Sequence, residues 1–79
     1  MKGNLKQLRE EAGLSLSEIG EMCGRTKATM HELEKDTANP TLTTAYSIAR
    51  VLDKSVYEIW PNVLEFTEEI KTVRKIKLD

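Results

Sequence analysis

The chain has 79 residues, 39% of them hydrophobic and 32% charged, with one Cys, two Pro and four Gly. A chain this short buries only about 60% of the surface its unfolded form exposes, so a deep catalytic cleft would compete with the core for the same few apolar side chains. The single Cys excludes a disulfide scaffold or a zinc ribbon and fits a reducing cytoplasm, and twelve Lys and Arg against thirteen Asp and Glu give a net charge of −1, which confines any anion-binding face to a local patch.

The N-terminus MKGNLKQLREE is interrupted by charges at every hydrophobic step, so it is not a signal peptide, and no apolar run approaches the length of a membrane span. The chain therefore reads as intracellular. Leu5, Leu8 and Ala12 fall at i, i+3 and i+7, which predicts a first helix over residues 4–12 ended by Gly13. Ser15-Leu16-Ser17-Glu18 is a capping box: the Ser hydroxyl accepts from an early backbone N–H and the Glu carboxylate reaches back to the cap. It opens a second helix with Ile19, Met22 and Cys23 on one face, ended at Gly24.

A few residues later Met30 and Leu33 resume the apolar spacing, with Thr26 as N-cap of a third helix. Two short helices this close in sequence form a helix-turn-helix. Gly20 and Gly24 are the small residues that let them cross and turn, with Ile19 and Met30 packed in the angle between them. Thr37-Ala38-Asn39-Pro40 is a loop, because Pro lacks the N–H that a helix interior needs. Leu42, Ala45, Ile48, Ala49 and Leu52 give a fourth helix. Ser55-Val56-Tyr57-Glu58 is a second capping box and opens a short fifth helix that Pro61 stops.

These residues resemble the phage repressor and Cro type of helix-turn-helix, the Xre-like family. The likeness runs from Leu5 to Trp60 through LRE at 8–10, GLSLSEIGEMCG at 13–24, TKATMHELEK at 26–35 and NPTL at 39–42. It implies a mainly α fold, a five-helix repressor-like DNA-binding domain over residues 1–61; residues 62–79 lie beyond the likeness and read on their own as a C-terminal extended or β segment. It also implies that residues 26–33 form the recognition helix. Thr26, Lys27, Ala28, Thr29 and Glu32 match positions that reach bases or flanking phosphates in double-stranded DNA. Arg25 and Lys35 add attraction to the phosphates, and Asn39 in the following loop joins the DNA-facing set. Glu34 matches a position whose carboxylate pairs with an arginine of the first helix, here Arg9, through a bidentate guanidinium.

Glu32 repels phosphates, yet aimed at a base edge it can accept from a cytosine amino group; a solvated side chain beside the groove is the equal alternative. Ala28 can touch a thymine methyl. Three positions depart from the family pattern or make readout sparse: Leu16 stands where a glutamine is usual, Asp36 stands where a glycine takes φ > 0, and Ala28 carries no polar group. Cys23, Met22 and Met30 read as core residues. His31 is the one histidine, too few for a protein metal site. Trp60 reads equally as core or dimer contact.

In residues 62–79, NVLEFTEEIKTVRKIKLD, Leu64, Phe66, Ile70, Thr72, Ile76 and Leu78 occupy even positions among charged neighbours. That alternation predicts a β-strand over residues 69–78, with a helix carrying Ile70, Val73 and Lys77 on one face as the alternative. A lone strand beside a helical domain has no sheet to join, so pairing with the same strand of a second copy is expected, giving a homodimer with Trp60, Phe66, Ile70, Ile76 and Leu78 at its contact. The expected function is a cytoplasmic, homodimeric, sequence-specific repressor on a palindromic operator, without cofactor, metal, membrane or catalytic residues. An antitoxin or adaptor whose main partner is another protein is the rival reading; an enzyme lacks both a nucleophile–base pair and a ligand cluster.

Overall fold

The computed structural model describes residues 1–63. Among them are five helices, α1 (Leu5–Glu11), α2 (Leu16–Cys23), α3 (Lys27–Leu33), α4 (Leu42–Leu52) and α5 (Val56–Ile59). The mainly α, five-helix expectation holds, with the first helix one residue shorter at each end than the spacing predicts. Phe66, Ile70, Ile76 and Leu78, and the strand expected over residues 69–78, lie outside the described residues.

Local chemistry sets most of the helix ends. Ser15 and Ser55 both complete reciprocal capping boxes with Glu18 and Glu58, so each helix start satisfies two backbone N–H groups that would otherwise be orphaned. Thr26 and Thr41 cap α3 and α4, their hydroxyls accepting from the N–H groups of Thr29 and Thr44. Gly13 and Gly24 take positive φ of 74° and 69° just beyond α1 and at the end of α2, a conformation open to glycine without a Cβ clash.

Six side chains are almost wholly buried: Leu5, Ile19, Met30, Ile48, Ile59 and Trp60. They come from every helix, and each fully buried aliphatic side chain stabilises the fold by about 1.5–3 kcal/mol. The N-terminal segment is tied down beside α5: the Asn4 N–H donates to the Ile59 carbonyl at 2.7 Å and the Asn4 side-chain amide to the Glu58 carbonyl at 3.1 Å. Gly3 passes so close to Trp60 that a Cβ there would stand 2.6 Å from Cδ1 of the indole ring.

Five expectations are corrected. Trp60 is 1% exposed; covered by the N-terminal segment, it belongs to the core and offers no dimer contact. Met22 is 57% exposed because it lies one position away from the buried stripe of Ile19 and Cys23, and Leu42 is 72% exposed at the first turn of α4, before that helix meets the core. Ala12 is exposed as the C-cap of α1. Asp36 does not take positive φ. The one non-glycine residue that does so among those described is Asp53, at φ 54° ending α4.

Candidate nucleic-acid interface

The helix-turn-helix is built around Gly20. The Arg25 N–H donates to the Gly20 carbonyl at 2.7 Å, and a Cβ on Gly20 would meet the Arg25 carbonyl oxygen at 2.8 Å and Met30 Cγ at 3.3 Å. Only a residue without a side chain lets the turn fold back this tightly over α2. Met30 is 0% exposed and nails the inner face of α3 into the core beside Ile19. The outer face of α3 is thereby fixed towards solvent: Lys27, Ala28, His31 and Glu32 are all exposed.

The expected contact residues fall into two groups. Arg25, Thr26, Lys27, Ala28, Glu32, Lys35 and Asn39 are exposed and Thr29 is half-buried. Their polar groups differ in what they already hold. The Thr26 hydroxyl accepts from the Thr29 N–H at 3.1 Å and is 3.0 Å from the Thr29 hydroxyl, so its first task is to start α3. Arg25 donates from Nη2 to the Thr44 hydroxyl at 3.1 Å and from Nη1 to the Gly24 carbonyl at 3.2 Å, which ties the turn to the beginning of α4. Lys35 Nζ donates to Glu32 at 2.9 Å across one helical turn, both side chains being solvent-exposed. That hydrogen bond, then the charge of Lys35 and more weakly of His31, holds the Glu32 carboxyl below its ordinary pKa. The Lys27 ammonium has no ion-pair or hydrogen-bond partner among the described residues and is the unengaged cation of α3.

Beneath this face, Arg9 and Glu34 join α1 to the end of α3. Arg9 Nε donates to one carboxylate oxygen of Glu34 at 2.5 Å and Nη2 to the other at 3.4 Å, while Nη1 donates to the Leu14 carbonyl at 2.7 Å. The two side chains are 10% and 8% exposed, so the inward orientation expected of Glu34 holds. The hydrogen bond to Glu34 raises the Arg9 pKa more than burial lowers it, and the charges of Glu34 and Glu10 add to the rise. Cys23 is buried, its thiol pushed up by loss of solvent against a smaller opposing effect from Arg25, which makes it a poor nucleophile.

The link from Arg25 through Thr44 to Thr41 was not anticipated from the sequence, although the run Pro40-Thr41-Leu42-Thr43-Thr44 carries its signal: a threonine directly after proline, followed three residues later by a second hydroxyl. Thr44 is 7% exposed and its hydroxyl lies 2.9 Å from that of Thr41. Among the described residues no group of three His, Cys, Asp or Glu converges as a metal site, and no helix is long and apolar enough to cross a membrane.

The helix-turn-helix family model matches residues 5–59. The chain belongs to the Xre/Cro-like helix-turn-helix family. This helix-turn-helix domain is 41% identical over 49 residues to the HTH-type transcriptional regulator SutR of Escherichia coli, a match that takes in 62% of this chain and 28% of SutR. It thus spans less than a third of that relative's length. An uncharacterized HTH-type transcriptional regulator of Methanothermobacter thermautotrophicus is 36% identical over 58 residues, 73% of this chain and 84% of its own. Among solved structures, a chain of the SinR protein/SinI protein complex superposes with a TM-score of 0.69 at 33% identity, covering 98% of this chain and 79% of that one.

Proposed function

We infer that this helix-turn-helix domain is a sequence-specific DNA-binding transcriptional regulator of the phage or prophage repressor type, acting in the cytoplasm. The observation that carries this reading is the fixed, solvent-facing outer surface of α3, held from behind by buried Met30 and the close approach at Gly20. A recognition helix of this kind enters the major groove with its N-terminal residues at the base edges. Lys27 supplies the phosphate contact for which its ammonium is unengaged. Ala28 and Thr29 face bases, and Glu32 accepts from a base edge when Lys35 lets go of it to reach a phosphate. Arg25 and Asn39 flank the groove, and Thr26 presents the start of the helix.

The functional unit is a homodimer on a roughly palindromic operator. Residues 69–78 pair with the same segment of a second copy, through Ile70, Ile76 and Leu78, and set two recognition helices about 34–36 Å apart, one turn of DNA. Repression follows from occupying a promoter. The alternation of apolar and charged residues in 62–79 supports the pairing, and removal of those residues is expected to weaken both self-association and operator binding.

The second reading is an antitoxin-like or adaptor module whose main partner is another protein. Two observations favour it: the net charge of −1, and the derivation of one structural neighbour from a complex of two proteins, SinR with SinI. Selection of duplexes from a random pool by the purified full chain separates the two. Enrichment of a two-fold symmetric site supports the repressor; a folded protein that enriches nothing moves the assignment to the adaptor.

A further inference from the structure

Large hydrophobic side chains left in solvent are concentrated in one place. Of the four among the described residues, Leu42, Tyr46 and Tyr57 line a single groove between α4 and α5. The groove has a volume of about 810 Å³, within the ~300–1,000 Å³ range of clefts that bury a drug-sized ligand. No residue of α3 lines it, so it is separate from the nucleic-acid interface. A contiguous apolar patch of this kind marks a surface that something covers.

The chain itself points to the occupant. Val63, the final described residue, lines the groove, and the residues that follow it are Leu64-Glu65-Phe66. An extended chain advances at most about 3.3–3.6 Å per residue, which keeps Phe66 within roughly 11 Å of Val63. Two apolar side chains, one and three residues on, are therefore within reach of the groove. Ordering so short a connection costs little loop entropy, and the local concentration of a tethered segment, on the order of millimolar, exceeds that of any free competitor at working dilution.

Charge agrees with apolarity. The side chains of Arg50 and Lys54 on the groove edge have no ion-pair or hydrogen-bond partner among the described residues. Of the two acids there, Glu58 is occupied by the Ser55 N–H at 3.0 Å and Asp53 closes α4. The approaching segment brings Glu65, Glu68 and Glu69, and its own cations begin only at Lys71.

We propose that residues 64–69 of the same chain occupy the α4–α5 groove, with Leu64 and Phe66 packed against Tyr46 and Tyr57 and the three glutamates facing Arg50 and Lys54. This seat gives the following residues a fixed point of departure beside α5. It goes beyond the DNA-binding reading and does not depend on it.

The chain contains two tyrosines, and both line this groove, so tyrosine nitration by tetranitromethane reports on it alone. In the full chain both rings are expected to react slowly. The Leu64→Asp/Phe66→Asp variant is expected to nitrate several-fold faster at every protein concentration, with an unchanged far-ultraviolet dichroism. The Arg50→Glu/Lys54→Glu variant, altered only on the exposed rim, is expected to move in the same direction. Equal rates in the parent and both variants overturn the proposal. Protection that disappears on dilution overturns it as well, because the occupant is then a second copy.

Discussion

Arg9 and Glu34, 25 positions apart in sequence, face each other through a bidentate ion pair whose side chains are 10% and 8% exposed. The guanidinium is saturated further by the Leu14 carbonyl. Two desolvated charges held this way lock α1 to the end of α3. Removing one partner leaves the other buried and unpaired, which costs about 3 kcal/mol, whereas replacing both with apolar groups of similar volume costs far less. Urea unfolding of Glu34→Leu, Arg9→Met and the double variant is expected to show the double variant more stable than the sum of the single losses implies. Strict additivity would mean that the two side chains do not act as a pair.

Gly20→Ala tests the turn. A methyl group there meets a backbone oxygen, that of Arg25, at 2.8 Å, and a backbone atom cannot swing aside as a side chain would. Overpacking of this kind costs about 1–3 kcal/mol, against about 1 kcal/mol gained in helix propensity. The expected net loss is about 1 kcal/mol in thermal or urea unfolding, with DNA affinity falling as α3 is displaced. A variant more stable than the parent would mean that α2 and α3 sit further apart.

The capping box at α2 makes stability fall in acid. Hydrogen bonds from the Ser15 backbone N–H, and then from its hydroxyl, hold the Glu18 carboxyl below its ordinary pKa. A carboxyl whose folded pKa is depressed contributes stability that is fully present above its unfolded pKa, and that contribution is lost as pH falls through the folded value. Glu18→Gln is therefore expected to flatten the acid limb of a stability–pH profile, while Ser15→Ala lowers stability at neutral pH by about 1 kcal/mol. An acid limb identical in Glu18→Gln and the parent would remove Glu18 from that role.

Asp53 carries positive φ, 54°, at the end of α4. A left-handed conformation costs an L-residue about 1–2 kcal/mol, and glycine gives back about 0.5–1 kcal/mol through the freedom of its unfolded state. Asp53→Gly is accordingly expected to raise the urea midpoint slightly, by about 0.5 kcal/mol of stability. A lowered midpoint would show that the Asp53 side chain holds a contact that outweighs its strain.

What could be read from the sequence was whatever is decided within one or two helical turns. Ser15 with Glu18 and Ser55 with Glu58 announce their helices because both halves of each capping box lie three residues apart. The apolar run ending at Leu52 likewise fixes α4. What depended on packing was less visible. Met22 and Met30 are the same residue type at helical spacing, yet one is 57% exposed and the other 0%, because the crossing of α2 and α3 selects between them. Trp60 packs against Gly3 and Ile59 bonds to Asn4, each more than fifty positions away, which no local pattern records. The positive φ expected at Asp36 belongs instead to Asp53, since α3 ends on a right-handed Glu34 while α4 ends on a left-handed residue. Within the interface, the faces of α3 and the Arg9–Glu34 pair followed from family resemblance. The restraint of Arg25 by Thr44 and of Lys35 by Glu32 depends on side-chain rotamers and on the approach of α4 to the turn, which no spacing records.

The most direct test of α3 as the DNA-reading surface is the salt dependence of affinity for the selected duplex, measured for the parent and for Lys27→Ala. Each phosphate neutralised by the protein contributes about 0.9 to the slope of log K against log salt. The expected result is binding that weakens with salt, and a slope about one unit shallower in Lys27→Ala with affinity lowered at all sequences alike. A slope unchanged by the substitution would contradict the placement of Lys27 at the phosphate backbone, and with it the orientation of α3 on DNA.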